Sequence, residues 1–245
     1  MNLGANSNFI SRVRTFVLTA CVNGMLLSVP TPPETFTTLR GALDGVAAKY
    51  QIQYGFESAV QNKDLQQITL DLSAKSVDTV LNQLVNQKPD YVWFFADNVY
   101  DVYPKSNPDS ILDVWIHKFT MIDRSSKEAA DLFGQLPEIK EWLTSHSVSR
   151  REFEVCAWSC GQSFGKLVTV SLQDVTFRTV LNTLVREFEN LDWMAGRFGD
   201  NQEYIGIYLD ELLPGSDNAS VLGKGKVPGR ADMSGNALIC CFLPR

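Results

Sequence analysis

Five cysteines and two histidines are the residues of this 245-residue chain with the most chemistry to offer. A thiol nucleophile needs a histidine placed to take its proton. Cys160, in the run Trp158-Ser159-Cys160-Gly161, has only His117 and His146 as bases; both lie upstream of it, and the segment reads as a strand end and turn. No catalytic residue is assigned. A metal site would have to combine Cys156, Cys160, Cys240, Cys241 and His146, but Cys-x-x-x-Cys with a distant Cys-Cys pair is not a usual zinc spacing. Gly223-Lys224-Gly225-Lys226 lacks the spacing and the Ser or Thr of a phosphate-binding loop. The expectation is a non-catalytic protein without metal or cofactor.

The aromatic residues offer a different chemistry, that of contact. Trp93, Phe94, Phe95, Tyr100 and Tyr103 crowd two runs on either side of Asp97-Asn98, a pattern that predicts a hairpin. Strict alternation sends some of these rings to the solvent face, where they can meet a protein or a glycan. Taking Val99 to Tyr103 as the outer strand of its sheet makes Val99, Tyr100, Val102 and Tyr103 the candidate partner-binding residues. A partner strand would pair with that backbone while Tyr100 and Val102 fill pockets.

Charge and the first thirty residues set the compartment. Lys and Arg total 22 against 28 Asp and Glu, so no basic excess is present to neutralise phosphates, and nucleic acid is not expected as a partner. Arg12 and Arg14 precede a mostly apolar run from Phe16 to Val29, and no acidic residue occurs before Glu34. That is the layout of a secretory signal peptide, so residues 1–30 are expected to be a leader and the protein to be periplasmic or secreted. The run falls short of the roughly 20 residues a spanning helix needs, and no transmembrane span is expected. Leu18-Thr19-Ala20-Cys21 also resembles a bacterial lipobox, which would put a lipid anchor on Cys21. Loss of Cys21 with a leader leaves Cys156, Cys160, Cys240 and Cys241. In an oxidising compartment these permit two disulfides in any of three connectivities, and buried thiols read equally well.

The elements that position these residues are written twice. Ile68 to Val85 and Val168 to Val185 match at a constant offset of one hundred, with eight of eighteen positions identical, and the same offset carries Trp93 onto Trp193. Each copy opens with an alternating strand and continues into a helix with its apolar residues on one face: Val77, Val80, Leu81, Leu84 and Val85, then Phe177, Val180, Leu181, Leu184 and Val185. Ser76 and Thr176 stand at the N-cap. Asn82 and Asn182 lie off the stripe, which leaves them either solvated or sharing one structural hydrogen bond. Ahead of the first copy, Leu39 to Tyr50 predicts a helix and Ile52 to Phe56 a strand. Ahead of the second, Ser125-Ser126-Lys127-Glu128 is a capping-box pattern. A strand from Ile111 to Ile122 and a short helix around Glu138 to Leu143 are extra in this copy. The expected fold class is α+β, two tandem βα modules of helix-strand-strand-helix-strand-strand order, at 34–105 and 110–212. Gly, Ser, Asn and Lys dominate 213–245, which is expected to be a mobile tail.

LRGALDGVAAKYQIQYGFESAV, ITLDLSAKSVDTVLNQLV and YVWFFADNVYDVYP together resemble the secretin and TonB short N-terminal (STN) domain. The match covers about Leu39 to Pro104, and Ser126 to Leu209 resembles a diverged second copy. The resemblance implies a periplasmic module that contacts other proteins, building a vestibule in secretins and signalling in TonB-dependent receptors, with no catalytic residues. The expected function is therefore an exported interaction module docking another envelope protein. The alternative is a small-ligand or glycan binder using the aromatic hairpin and the cleft between modules; a thiol-dependent enzyme is the third reading.

Overall fold

The computed structural model describes residues 32–59, 67–149, 151–158, 166–198 and 204–211. The expected leader with Cys21, the cysteines Cys160, Cys240 and Cys241, the expected turn at Asp200-Asn201 and the expected tail lie outside the described residues. The protein is α+β, with five helices and ten strands in three sheets among the described residues.

Repeat 1 starts with a short strand, β1 (Glu34–Phe36), too brief to show periodicity. Helix α1 (Leu39–Tyr50) follows, its N-terminus closed by the Thr38 hydroxyl accepting from the Gly41 N–H at 2.9 Å. Then come β2 (Gln53–Glu57), β3 (Ile68–Leu70), α2 (Val77–Gln87), β4 (Tyr91–Ala96) and β5 (Val99–Pro104). The β4–β5 turn holds Asp97 and Asn98 at φ 53° and 65°, the left-handed pair that a two-residue hairpin requires. Repeat 2 begins with a single 3-10 turn at Ile111–Asp113 and the long β6 (Trp115–Arg124). Helix α3 (Ser126–Phe133) has both hydrogen bonds of a capping box on Ser125 and Glu128, and α4 (Pro137–Ser145) starts with proline in its first turn. The chain ends its described course with β7 (Phe153–Trp158), β8 (Val168–Thr176), α5 (Phe177–Phe188), β9 (Leu191–Phe198) and β10 (Tyr204–Glu211).

Within each repeat the helices lie between a two-stranded ribbon and a three-stranded sheet. The ribbons are β1–β3 and β6–β8, both antiparallel. The three-stranded sheets join edge to edge into one six-stranded sheet of order β4-β5-β2-β9-β10-β7. All of this forms one compact unit running from Thr31.

The join has a definite symmetry. Strand β2 runs parallel to both β5 and β9, whereas β4 is antiparallel to β5 and β9 to β10. Equivalent strands β4 and β9 therefore point in opposite directions. Side chains confirm the matching change of face: Tyr54, Phe56 and Val102 enter the core of repeat 1, while Val99, Trp193 and Ala195 enter that of repeat 2. Since Gly55 sits in register with Trp193 and Phe56 with Met194, the two cores lie on opposite faces of the shared sheet. The repeats are thus related by a half-turn about an axis across the strands plus a shift of three strands.

The repeated apolar stripe is core in both copies: Val80, Leu81 and Leu84, and Val180, Leu181 and Leu184, are all fully buried. The correspondence is weaker at two positions expected to be buried, since Leu172 and Trp93 are only partly so.

Candidate interaction site

The strand picked out from the sequence is not an edge. β5 pairs with β4 on one side and β2 on the other, so the backbone of Val99 to Tyr103 has no open side for a partner strand. Val99 and Val102 are fully buried, in different cores. Tyr100 packs between Trp93 and Phe95, with ring centroids at 5.9 and 4.5 Å. Tyr103 lies beneath the Arg178 guanidinium at 4.9 Å. The physical reason is the order of strands: β2 returns to lie parallel beside β5, a long-range pairing that leaves β4 outermost. No described strand pairs with the other side of β4.

The residues considered for catalysis are occupied locally. His117 faces Asp174 at 3.2 Å on an exposed ribbon, and His146 stacks on Trp142 at the end of α4. Cys156 is buried on β7 and donates towards Glu154 at 3.4 Å. Among the described residues no cluster of His, Cys, Asp or Glu is placed to hold a metal, and no helix is long and apolar enough to cross a membrane.

What the fold does build is a joint, and it shows what one repeat's surface can bind. Helix α5 lays one flank over the back of β2 and β5. Trp193, fully buried, spreads its indole on Gly55: a Cβ added at Gly55 would stand 2.2 Å from the ring, so no other residue fits there without displacing the tryptophan. The indole N–H donates to Asn182 Oδ1 at 2.6 Å, and the Asn182 amide donates in turn to Asp101 at 2.8 Å. Arg178 reaches the buried Glu57 at 2.6 Å, and Glu57 also accepts from Ser110 at 2.5 Å and from Asn107. Gln53 donates to the Val185 carbonyl at 2.5 Å near the end of α5. A cavity of about 250 Å³ remains beside this group, lined by Glu57, Phe94, Tyr103, Asn107, Ser110 and Arg178. This is the cleft between repeats, and an internal ion pair fills its wall.

The other face of the joint is electrostatically crowded. Arg40 of α1 pairs with Asp210 of β10 and donates to Met194 Sδ, and Tyr54 donates to Asp44 at 2.5 Å. Burial pushes the carboxyls of Asp192 and Asp44 upward even though the Arg40 cation draws them down. Burial works against the Arg40 charge, yet Asp210, Tyr54, Asp192 and Asp44 outweigh it and hold the guanidinium protonated. Asp101, with no exposed surface, is pushed up to about 7 by burial, against the opposing pull of Asn182 and Arg178.

The corresponding surface of repeat 1 carries the same device, and among the described residues no strand lies against it. Trp93 donates its indole N–H to Asn82 Oδ1 at 3.0 Å, the counterpart of the Trp193–Asn182 bond. Asn182 is buried because repeat 1 covers it; Asn82 is exposed. Phe95, on the same face of β4 as Trp93, is 50% exposed, whereas Phe94 is 43% exposed on the opposite face and lines the cavity of the joint. The device was legible as an Asn and a Trp eleven residues apart in both copies, one of the two roles the sequence left open for Asn82 and Asn182. Gly55, Glu57, Asp101 and Arg178 gave no local signal, because their function exists only where the repeats meet.

The opposite end of the sheet differs. Val102 lies across from Trp93 and Phe56, and Leu209 from Trp193 and Ala157, so β7 carries Cys156 where β2 has Gly55. The seat for an indole is missing there. Comparison of the chain with protein-family models, with curated proteins and with solved structures found no match.

Proposed function

We propose that this protein is an exported, non-catalytic interaction module that docks another protein of the cell envelope through the α2–β4 side of repeat 1, in the manner of STN domains in secretins and TonB-dependent receptors. One observation carries the reading: the Trp-Asn surface that binds repeat 1 when it belongs to repeat 2 is presented a second time by repeat 1, next to an outer strand with two exposed phenylalanines. Open strand edges and exposed aromatic residues are features that natural proteins usually cover or use. The sequence pattern of the leader supports an envelope location.

A photo-crosslinking amino acid introduced at Phe95 in the native host tests this directly, with Lys127 on the exposed side of α3 as the control position. The expected result is one envelope protein joined at position 95 and none at 127. Equal labelling at the two positions, or a product confined to the cytoplasmic fraction, would overturn the proposal.

A further inference from the structure

We infer that the α2–β4 face receives an edge strand of a different protein, lying parallel to β4, with a glycine under Trp93 and a lysine or arginine two residues beyond it. The inference deepens the docking reading and rests on it. Its template is the joint inside the chain, where β2 runs parallel to β9 with Gly55 in register with Trp193 and Glu57 in register with Ala195. An equivalent occupant of β4 would place its own residues opposite Trp93 and Phe95.

The glycine requirement follows from the geometry of the indole. Trp193 lies so close over Gly55 that a methyl group would collide with the ring. Trp93 makes the same hydrogen bond to the helix above it and packs on Tyr100 of β5 at 5.9 Å, so a strand added to β4 would meet its indole at the place where Gly55 meets that of Trp193.

The charge requirement follows from what differs between the repeats. At the joint, Arg178 binds Glu57, two residues after the glycine. The counterpart of Arg178 is Asp78, which is exposed and accepts a hydrogen bond from the Tyr100 hydroxyl at 3.4 Å. The sign is inverted, so the occupant's residue at that place must be basic. Phe95 replaces Ala195 beside it and gives the cation an aromatic face to rest on.

The chain itself does not supply this strand. None of its 16 glycines is followed two positions later by Lys or Arg. Its own β2 is already covered by β9, and β7 has Cys156 in place of the glycine. A second copy adding itself to β7 by the same joint is therefore sterically mismatched at Cys156, and the occupant is another protein.

The test uses the full chain and three synthetic probes copied from residues 51–59, each fluorescently labelled and presented as one strand of a cyclised hairpin: the natural sequence, a Glu57→Lys form, and a form with both Glu57→Lys and Gly55→Ala. Anisotropy titrations should show the Glu57→Lys probe binding about fivefold tighter than the natural one, the size of a partly shielded ion pair. The added Gly55→Ala change should cost at least about tenfold. An Asp78→Arg chain, first shown to unfold at the parent's temperature, should prefer the natural probe instead. No binding of any probe up to about 1 mM, equal binding of the glycine and alanine probes, or an unchanged preference in Asp78→Arg would overturn the inference. If crosslinking from position 95 still finds an envelope protein in that case, the docking reading stands and only the strand chemistry falls.

Discussion

Replacing Asp101 with asparagine should make the protein more stable at neutral and alkaline pH while leaving it unchanged in acid. Asp101 is fully buried between β5 and α5, one of its oxygens accepting from Asn182 at 2.8 Å and the other without a hydrogen-bond partner. An unfolded aspartate loses its proton near 3.8, whereas burial holds this one to about 7. Between those values the folded protein keeps a proton that the unfolded chain has released, so stability falls as pH rises, by about 1.4 kcal/mol per pH unit. The stability is fully present below the unfolded value and is lost by the time pH passes the folded one. The whole gap corresponds to about 4 kcal/mol, with the pull of Arg178 already contained in the folded value, and a measured difference of about 2 to 4 kcal/mol is expected. Asparagine has no proton to lose, and its carbonyl can accept the same Asn182 hydrogen bond. Urea unfolding followed by tryptophan fluorescence from about pH 4 to about pH 8 provides the assay. Asp44 and Asp192 are also pushed upward and tilt both curves, so the difference between curves isolates Asp101. Parallel curves, or a variant less stable than the parent at about pH 8, would refute the reasoning.

Other perturbations separate the joint from the cores. Gly55→Ala, which forces a methyl against the Trp193 ring, should cost about 1 to 3 kcal/mol in urea unfolding and shift the tryptophan emission. Asn182→Ala strips the buried Trp193 and Asp101 of their shared partner and should cost about 1 to 3 kcal/mol, whereas Asn82→Ala, at the exposed counterpart, should cost under about 0.5 kcal/mol by the same measurement. Leu81→Ala and Leu181→Ala each open a cavity at a fully buried position and should each lower stability by about 2 to 5 kcal/mol. Ser125→Ala removes a capping box and should lower the melting temperature by an amount equivalent to about 1 kcal/mol.

What could be read from the sequence was local. The apolar stripes of α2 and α5, the capping box at Ser125, and the Asp97-Asn98 turn announce themselves because each is decided by residues a few positions apart. Which strand is outermost is decided by where β2 lands, some forty residues from the hairpin it joins, and alternation carries no trace of that choice. For the same reason Val99 looked like one side of an ordinary two-faced strand, although it belongs to the core of the following repeat. Arg40, Asp192 and Asp210 are far apart in sequence and become one electrostatic group only when α1 of one repeat settles against β9 and β10 of the other. Three residues of β1 are too few to show a period at all.

The asymmetry of the two sheet ends explains why a chain built from two edge-joining repeats need not grow into a fibre. A contact that joins unlike surfaces propagates without limit whenever both surfaces stay open on every copy. Here the screw relation between repeats would allow it, since β7 and β4 point the same way and a third repeat could in principle follow the second. One substitution works against this. Cys156 occupies the place of Gly55 and removes the seat for an indole. One end of the sheet is thereby closed to the chain's own repeats, while the other keeps its tryptophan, its asparagine and its exposed phenylalanines. On the docking proposal, that retained surface is the one another molecule would fill.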